Sequence, residues 1–192
     1  MNQSFETIER LIRQRRSVFP ESYTDQEVPA EAIEAVLASA NYAPTHKLTQ
    51  PWRFVVFTGD GKRRFGAELA RFYKETVAPA SFLQKKYDSI IDKASRAAVM
   101  IAINIRYHRE KVPQWEEIAA VGAAVQNMAL TAEALQIGSY WSSPGMISSL
   151  SAFLDLEAQE ECLGIFYMGY HHDAPREANR TPIEEKVRWV RD

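Results

Sequence analysis

Two short runs near the start of the chain concentrate side chains that could do chemistry. The first is Arg15-Arg16-Ser17. The second runs from Tyr42-Ala43-Pro44-Thr45 through His46-Lys47-Leu48-Thr49-Gln50 to Pro51-Trp52. Both are polar and cationic, and they flank a single amphipathic segment. Guanidinium, imidazole, ammonium and hydroxyl groups at this density suit an anionic, flat ligand with a polar edge. Almost nothing else in the sequence has the look of a catalytic motif.

The elements between and around these runs follow from periodicity. Phe5, Ile8, Leu11 and Ile12 have helical spacing, so residues 4–14 read as an amphipathic helix ending in Arg13, Arg15 and Arg16. Pro29 suits the first turn of a second helix, with Ile33, Val36, Leu37 and Ala40 as its buried stripe. Pro44 is expected to stop that helix. Residues 52–58 are β-branched and aromatic and read as a strand, and Gly59-Asp60-Gly61 as a turn. Helices are expected over 62–76 and 81–95, and an apolar strand over 97–106 buried on both faces. Residues 115–136 form one long helix whose centre, Ala119 to Val125, is small and apolar almost all round. Such a helix admits a close neighbour and, in a chain of this size, calls for a partner subunit on one side. A strand at 138–142, a short helix at 147–155 and a core strand at 162–170 follow. The stretch 171–192 is polar with few apolar anchors, and is expected to lie across something rather than build a core. Mixed helices and strands exclude an all-α or all-β class.

Composition bounds the function. With 192 residues, one domain covering 1–192 is expected. A net charge of −2 argues against a general nucleic-acid binder. Cys162 is the single cysteine, which rules out an internal disulfide or a cysteine-based zinc site and fits a reducing, cytoplasmic setting. The first residues lack a signal-peptide pattern, and no uncharged apolar run reaches the roughly 18–20 residues of a membrane helix. No metal is expected at His171-His172-Asp173, because adjacent side chains on extended backbone point oppositely. His108, between Arg106 and Arg109 in sequence, reads as solvated, and Cys162 as a buried structural thiol.

At the residues named first, the chain resembles the nitroreductase family of FMN-dependent NAD(P)H oxidoreductases. Four pieces carry the likeness, in order, over nearly the whole chain. They are Arg15-Arg16-Ser17; Ala43-Pro44-Thr45 with Gln50-Pro51-Trp52-Arg53-Phe54; the small-residue helix followed by Gly138-Ser139-Tyr140-Trp141-Ser142-Ser143; and Gly169-Tyr170 followed by Asn179-Arg180-Thr181-Pro182-Ile183-Glu184-Glu185. Each piece alone is weak, and four in order are specific. Where many members carry a glycine or serine pair and an asparagine, this chain has His46-Lys47 and Leu48, like a compact His-Lys subgroup.

The resemblance implies an α+β fold, a central mostly antiparallel sheet flanked by helices, in an intertwined homodimer. The tail from about 171 to 192 would cross to the partner subunit. FMN would sit at the dimer interface. NADH or NADPH would deliver hydride to flavin N5, and a small-molecule acceptor (nitroaromatic, quinone or activated alkene) would take it in a ping-pong cycle. The cofactor carries the chemistry, so no catalytic side chain is required.

Each candidate residue has a plain alternative. Arg15 and Arg16 either terminate a helix or pair with the phosphate and the N1 edge of the flavin, with Ser17 adding a hydroxyl. His46, Lys47 and Tyr42 are either solvated loop residues or contacts to FMN bound on the partner. Gln50 either touches the flavin edge or ties down its loop through the backbone. Trp141, Ser142 and Ser143 are either a buried strand end or lie beside the flavin. Arg180 is either a surface charge or a second phosphate cation. In another functional class, a non-catalytic flavin-binding carrier or sensor would keep the same phosphate contacts. A helical interaction module has only the amphipathic helices behind it.

Overall fold

A computed structural model describes residues 2–191. Its frame is a four-stranded antiparallel sheet with helices on both faces. The helices are α1 (Gln3–Gln14), α2 (Ala30–Ala40), α3 (Gly59–Thr76), α4 (Gln84–Arg96) and α5 (Gln114–Ala134). The strands are β1 (Trp52–Phe57), β2 (Val99–Arg106), β3 (Gly138–Ser142) and β4 (Glu160–Gly169), in the spatial order β1-β2-β4-β3. This is the α+β architecture that the sequence predicts.

Strand β2 sits in the middle of the sheet, and its alternation feeds two cores. Val99, Ile101, Ile103 and Ile105 pack with Val36 and Ala40 of α2 and Val121, Ala124 and Met128 of α5. Met100 and Ala102 point the other way, into Phe65 and Leu69 of α3 and Ala94 of α4. The run is therefore apolar on both faces, with Asn104 its one polar residue before Arg106, although its neighbours are antiparallel, because helices cover both faces. Helices α3 and α4 cross closely at Gly66, where a Cβ would overlap that of Ala94. The Gly66→Ala variant gains roughly 1 kcal/mol of helix propensity but pays overpacking of about 1–3 kcal/mol. A net destabilisation is expected, read as a lower urea midpoint at unchanged slope.

Three boundaries differ from expectation. Gly59-Asp60-Gly61 opens α3 rather than forming a separate turn. Thr58 is the extended N-cap residue, the Gly61 amide donates to the Thr58 carbonyl at 2.9 Å, and Asp60 lies in the positive first turn. Helix α2 ends at Ala40, before Pro44, because Asn41 turns the chain and its Oδ1 accepts from Trp52 Nε1 at 3.3 Å. Residues 147–155 make only a 3-10 turn at Ile147–Leu150, consistent with a serine-rich run of weak helix propensity.

Helix α1 buries no residue: Phe5, Ile8 and Ile12 of its apolar stripe are exposed. Helix α5 lays Ala120, Val121, Ala124, Val125, Met128 and Ala132 against the sheet and leaves Trp115, Ile118 and Ala119 exposed. In the tail, Ile183, Val187, Trp189 and Val190 are exposed too. One protomer thus leaves apolar surface of α1, α5 and the tail open to water.

Candidate functional site

The Arg15-Arg16-Ser17 run is held by the strand that follows α5. Arg15 caps α1, its amide donating to the Leu11 carbonyl. The chain then runs alongside β3: Ser17 bridges Ser139, and the Val18 amide donates to the Ser139 carbonyl at 3.1 Å. Tyr23 locks this from behind, its hydroxyl donating to the Val18 carbonyl at 2.9 Å. Gly138 permits the close pass, since a Cβ there would press on Val18 and His171.

Three predicted cations meet here. Arg15, Arg16 and Arg180 line one cleft of about 840 Å³, with Gln126 of α5 and Arg176 of the tail. Arg15 is half-buried, and burial first, then the charge of Arg16, holds its guanidinium below the ordinary pKa; Glu133 opposes this and Arg180 adds to it. Arg16 donates to the carbonyls of Arg176 and Arg15, and Arg180 to that of Asn179. Among the described residues none of the three is in an ion pair with a carboxylate. Glu177 also lines this cleft, so arginines outnumber carboxylates there, and a bound anion would offset the excess positive charge.

Arg15 and Gln126 also border a second, contiguous cleft of about 250 Å³, lined by Ser17, Gly122, Val125, Ala129, Trp141 and Phe166. Its wall is the small-residue face of α5, which is smooth because Gly122 has open space where a side chain would project. Trp141 lies across β4 at Gly164, where a Cβ would collide with the indole Nε1. The two clefts share Arg15 and Gln126, so a cationic cleft borders a smaller slot walled by α5, Trp141 and Phe166 and edged by Ser17 and Ser139.

The other predicted residues are placed elsewhere. Ser142 faces the opposite side of the sheet, in a pocket with Tyr140, Tyr167 and Lys93, and Ser143 is exposed beyond the strand end. Tyr42 is 86% exposed. His46 and Lys47 pack at the start of α5: His46 Nδ1 is 2.5 Å from Glu116 Oε2, and Lys47 Nζ donates to the Lys111 carbonyl at 2.8 Å. Glu116 and Gln126 are ten residues apart, roughly 15 Å along α5. Neither of the two clefts that Arg15 lines is lined by His46. Gln50 anchors its loop through the backbone, its amide donating to Thr45 Oγ1 and its carbonyl accepting from Arg53.

The loop at 46–50 is strained. Lys47, Leu48 and Gln50 have φ of 50°, 52° and 44°, a region that asparagine tolerates and leucine does not favour. Leu48 is also 79% exposed, so little packing repays it. Leu48→Asn is expected to raise stability by about 0.5–1 kcal/mol, seen as a higher melting temperature.

Two features were not anticipated. Arg176 donates to the Ser17 carbonyl at 2.9 Å and so ties the tail to the cation cluster. In sequence it is one more charge in a polar tail, whereas Gln126 had a signal, since Gln126-Asn127 interrupts the apolar run of α5. His108, expected to be solvated, is instead locked by Glu117, a carboxylate only 1% exposed. That carboxylate accepts from the His108 amide and pairs with its Nδ1, each at 2.8 Å.

Fold and site together define a class. The sequence profile of the nitroreductase family matches residues 12–170, and the chain belongs to that family. YfhC of Bacillus subtilis strain 168, provisionally named an NAD(P)H nitroreductase, is 26% identical over 92% of this chain and 90% of its own. The crystal structure of a nitroreductase-like family protein from Bacillus cereus superposes with a TM-score of 0.83, at 25% identity, over 95% of both chains. A protein from Desulfovibrio desulfuricans, provisionally named a nitroreductase and solved in complex with FMN, gives a TM-score of 0.72 at 27% identity. That alignment covers 100% of this chain and 98% of the other.

Proposed function

We propose that this protein is an FMN-dependent NAD(P)H oxidoreductase. The observation that carries the proposal is the convergence of Arg15, Arg16 and Arg180 on one cleft that shares Arg15 and Gln126 with the slot beside Trp141. The donor set suits the group: guanidinium forks match a phosphate monoester, and the small-residue wall of α5 beside Trp141 and Phe166, edged by polar groups, suits a tricyclic ring with a polar edge. Arg15 and Arg180 hold the phosphate, Arg16 adds positive charge at the same end, and Ser17 and Trp141 border the ring. Membership of the family, the FMN complex of the Desulfovibrio protein and the NAD(P)H in the name of YfhC support the same assignment.

When bound, FMN supplies hydride acceptance from NADH or NADPH and delivery to a second substrate. The chain's own residues bind and orient the cofactor and exclude water. An electron-poor acceptor, whether nitroaromatic, quinone or activated alkene, enters after the nicotinamide has left, in a ping-pong cycle. The site is completed by a second copy: Tyr42, His46 and Lys47 of one protomer close over FMN held by Arg15, Arg16 and Arg180 of the other. The exposed apolar faces of α1 and α5 and the anchorless tail residues supply the surface for that homodimer. Ser142 and Ser143 contribute backbone groups at the end of β3.

An anaerobic absorbance titration tests this. Purified protein is expected to be yellow or to take up added FMN, to bleach with NADH or NADPH, and to recover colour with a quinone or nitroaromatic. Protein that takes up no FMN would overturn the assignment. Flavin that binds but never bleaches would make the protein a carrier or sensor.

A further inference from the structure

The start of α5 holds a histidine–carboxylate pair outside the cation cleft. We infer that Glu116 is a positioning residue that sets the tautomer and direction of the His46 ring. The inference rests on the reading of His46 as an FMN contact proposed above.

The geometry is specific. Glu116 Oε2 lies 2.5 Å from His46 Nδ1, and the histidine side chain is 59% exposed while the glutamate is 22% exposed. A carboxylate accepts only, so Nδ1 must carry the proton. Nε2 is then the ring nitrogen left for a ligand, as an acceptor when the ring is neutral and a donor when it is charged. A free neutral imidazole favours the opposite tautomer, with the proton on Nε2, so the carboxylate reverses the intrinsic preference.

One further contact ties the loop to the residues before α5, and internal hydrogen bonds hold the rest of it. Lys47 Nζ donates to the Lys111 carbonyl just before α5, the Thr45 and Thr49 hydroxyls are 3.2 Å apart, and the Gln50 amide donates to Thr45 Oγ1 at 3.0 Å. Three non-glycine residues in left-handed conformation persist only where such contacts over-determine them. Glu116 in the first turn of α5, Lys111 just before it and the loop's own hydrogen bonds thus hold the loop in shape within one protomer, before any cofactor or partner arrives. An acid in a first helical turn also complements the helix dipole, as Glu117 does from the next position. The dipole, however, has no use for a carboxylate aimed at one ring nitrogen.

The first arm of the test is NMR of the full-length apoprotein, with imidazole nitrogens observed at about pH 9, where imidazole side chains are neutral. Wild type is expected to show the Nδ1–H tautomer. Glu116→Ala is expected to revert to Nε2–H, and Glu116→Gln, whose amide oxygen still accepts, to keep Nδ1–H. The second arm is FMN affinity by flavin-fluorescence quenching. Glu116→Ala is expected to weaken binding about tenfold, or 1.4 kcal/mol. Glu116→Gln should stay near wild type, and Glu116→Ala should add nothing in a His46→Ala background. An unchanged tautomer in Glu116→Ala, or additive losses in the double variant, would overturn the inference. Wild type that takes up no FMN would instead remove the proposed function, and the tautomer arm would still decide what Glu116 does to His46.

Discussion

Replacing Arg15 with alanine is expected to lower FMN affinity on the order of a hundredfold. Arg15 borders both the cationic cleft and the slot under Trp141, and is half-buried there. Hydrogen bonds from a charged donor contribute about 1.5–3 kcal/mol each, and a guanidinium can make two to one phosphate. Arg16 and Arg180 remain in the variant, so binding is weakened rather than abolished. Protomer stability should not fall with it. In the folded protein Arg15 has burial and two like charges against it, and only Glu133 in its favour. Fluorescence titration with FMN alongside a thermal melt separates the two effects. Affinity within twofold of wild type would remove Arg15 from the phosphate site. Arg15→Lys should recover only part of the loss, because an ammonium cannot make the paired contact.

The second large effect is expected at Gly122. This residue lies on α5 in the wall of the slot, and nothing lies within 4 Å of where its Cβ would stand. A Cβ at position 122 therefore meets no clash within the protomer, and Gly122→Leu gains roughly 1 kcal/mol of helix propensity. The new side chain projects into the space assigned to the ring. Circular dichroism should report an equally or more stable fold, while FMN uptake becomes undetectable by absorbance. Wild-type flavin content in Gly122→Leu would show that the ring does not lie on this face of α5.

Much of the frame was legible because the core alternates so regularly. The run from Val99 to Arg106 has no polar interruption except Asn104, and Phe5, Ile8 and Ile12 mark one helix face. What failed were boundaries set by single contacts. Nothing in the local pattern says that Asn41 will accept from the Trp52 indole, or that Thr58 will make a glycine pair the start of a helix. The cation cluster was legible by type, and Arg15, Arg16 and Arg180 do converge. Ser142 was grouped with Trp141, but neighbours on a strand face opposite sides, and its hydroxyl lies across the sheet from the slot. Arg176 and the His108–Glu117 pair were not legible, since each depends on tertiary placement of a charge in a polar run.

The central claim is that one FMN site is built from two chains: the arginines of one protomer and the His46 loop of its partner. Mixing variants tests it directly. Arg15→Ala/Arg16→Ala protein and Tyr42→Ala/His46→Ala protein should each bind FMN poorly alone. After dissociation and reassociation at equal amounts, half the dimers are mixed, and each mixed dimer has one intact and one doubly damaged site. Flavin binding should then recover to roughly a quarter of wild-type site number. If both variants are deficient and no high-affinity site returns in mixed dimers isolated by differential tags, each site lies within one chain and the account is contradicted.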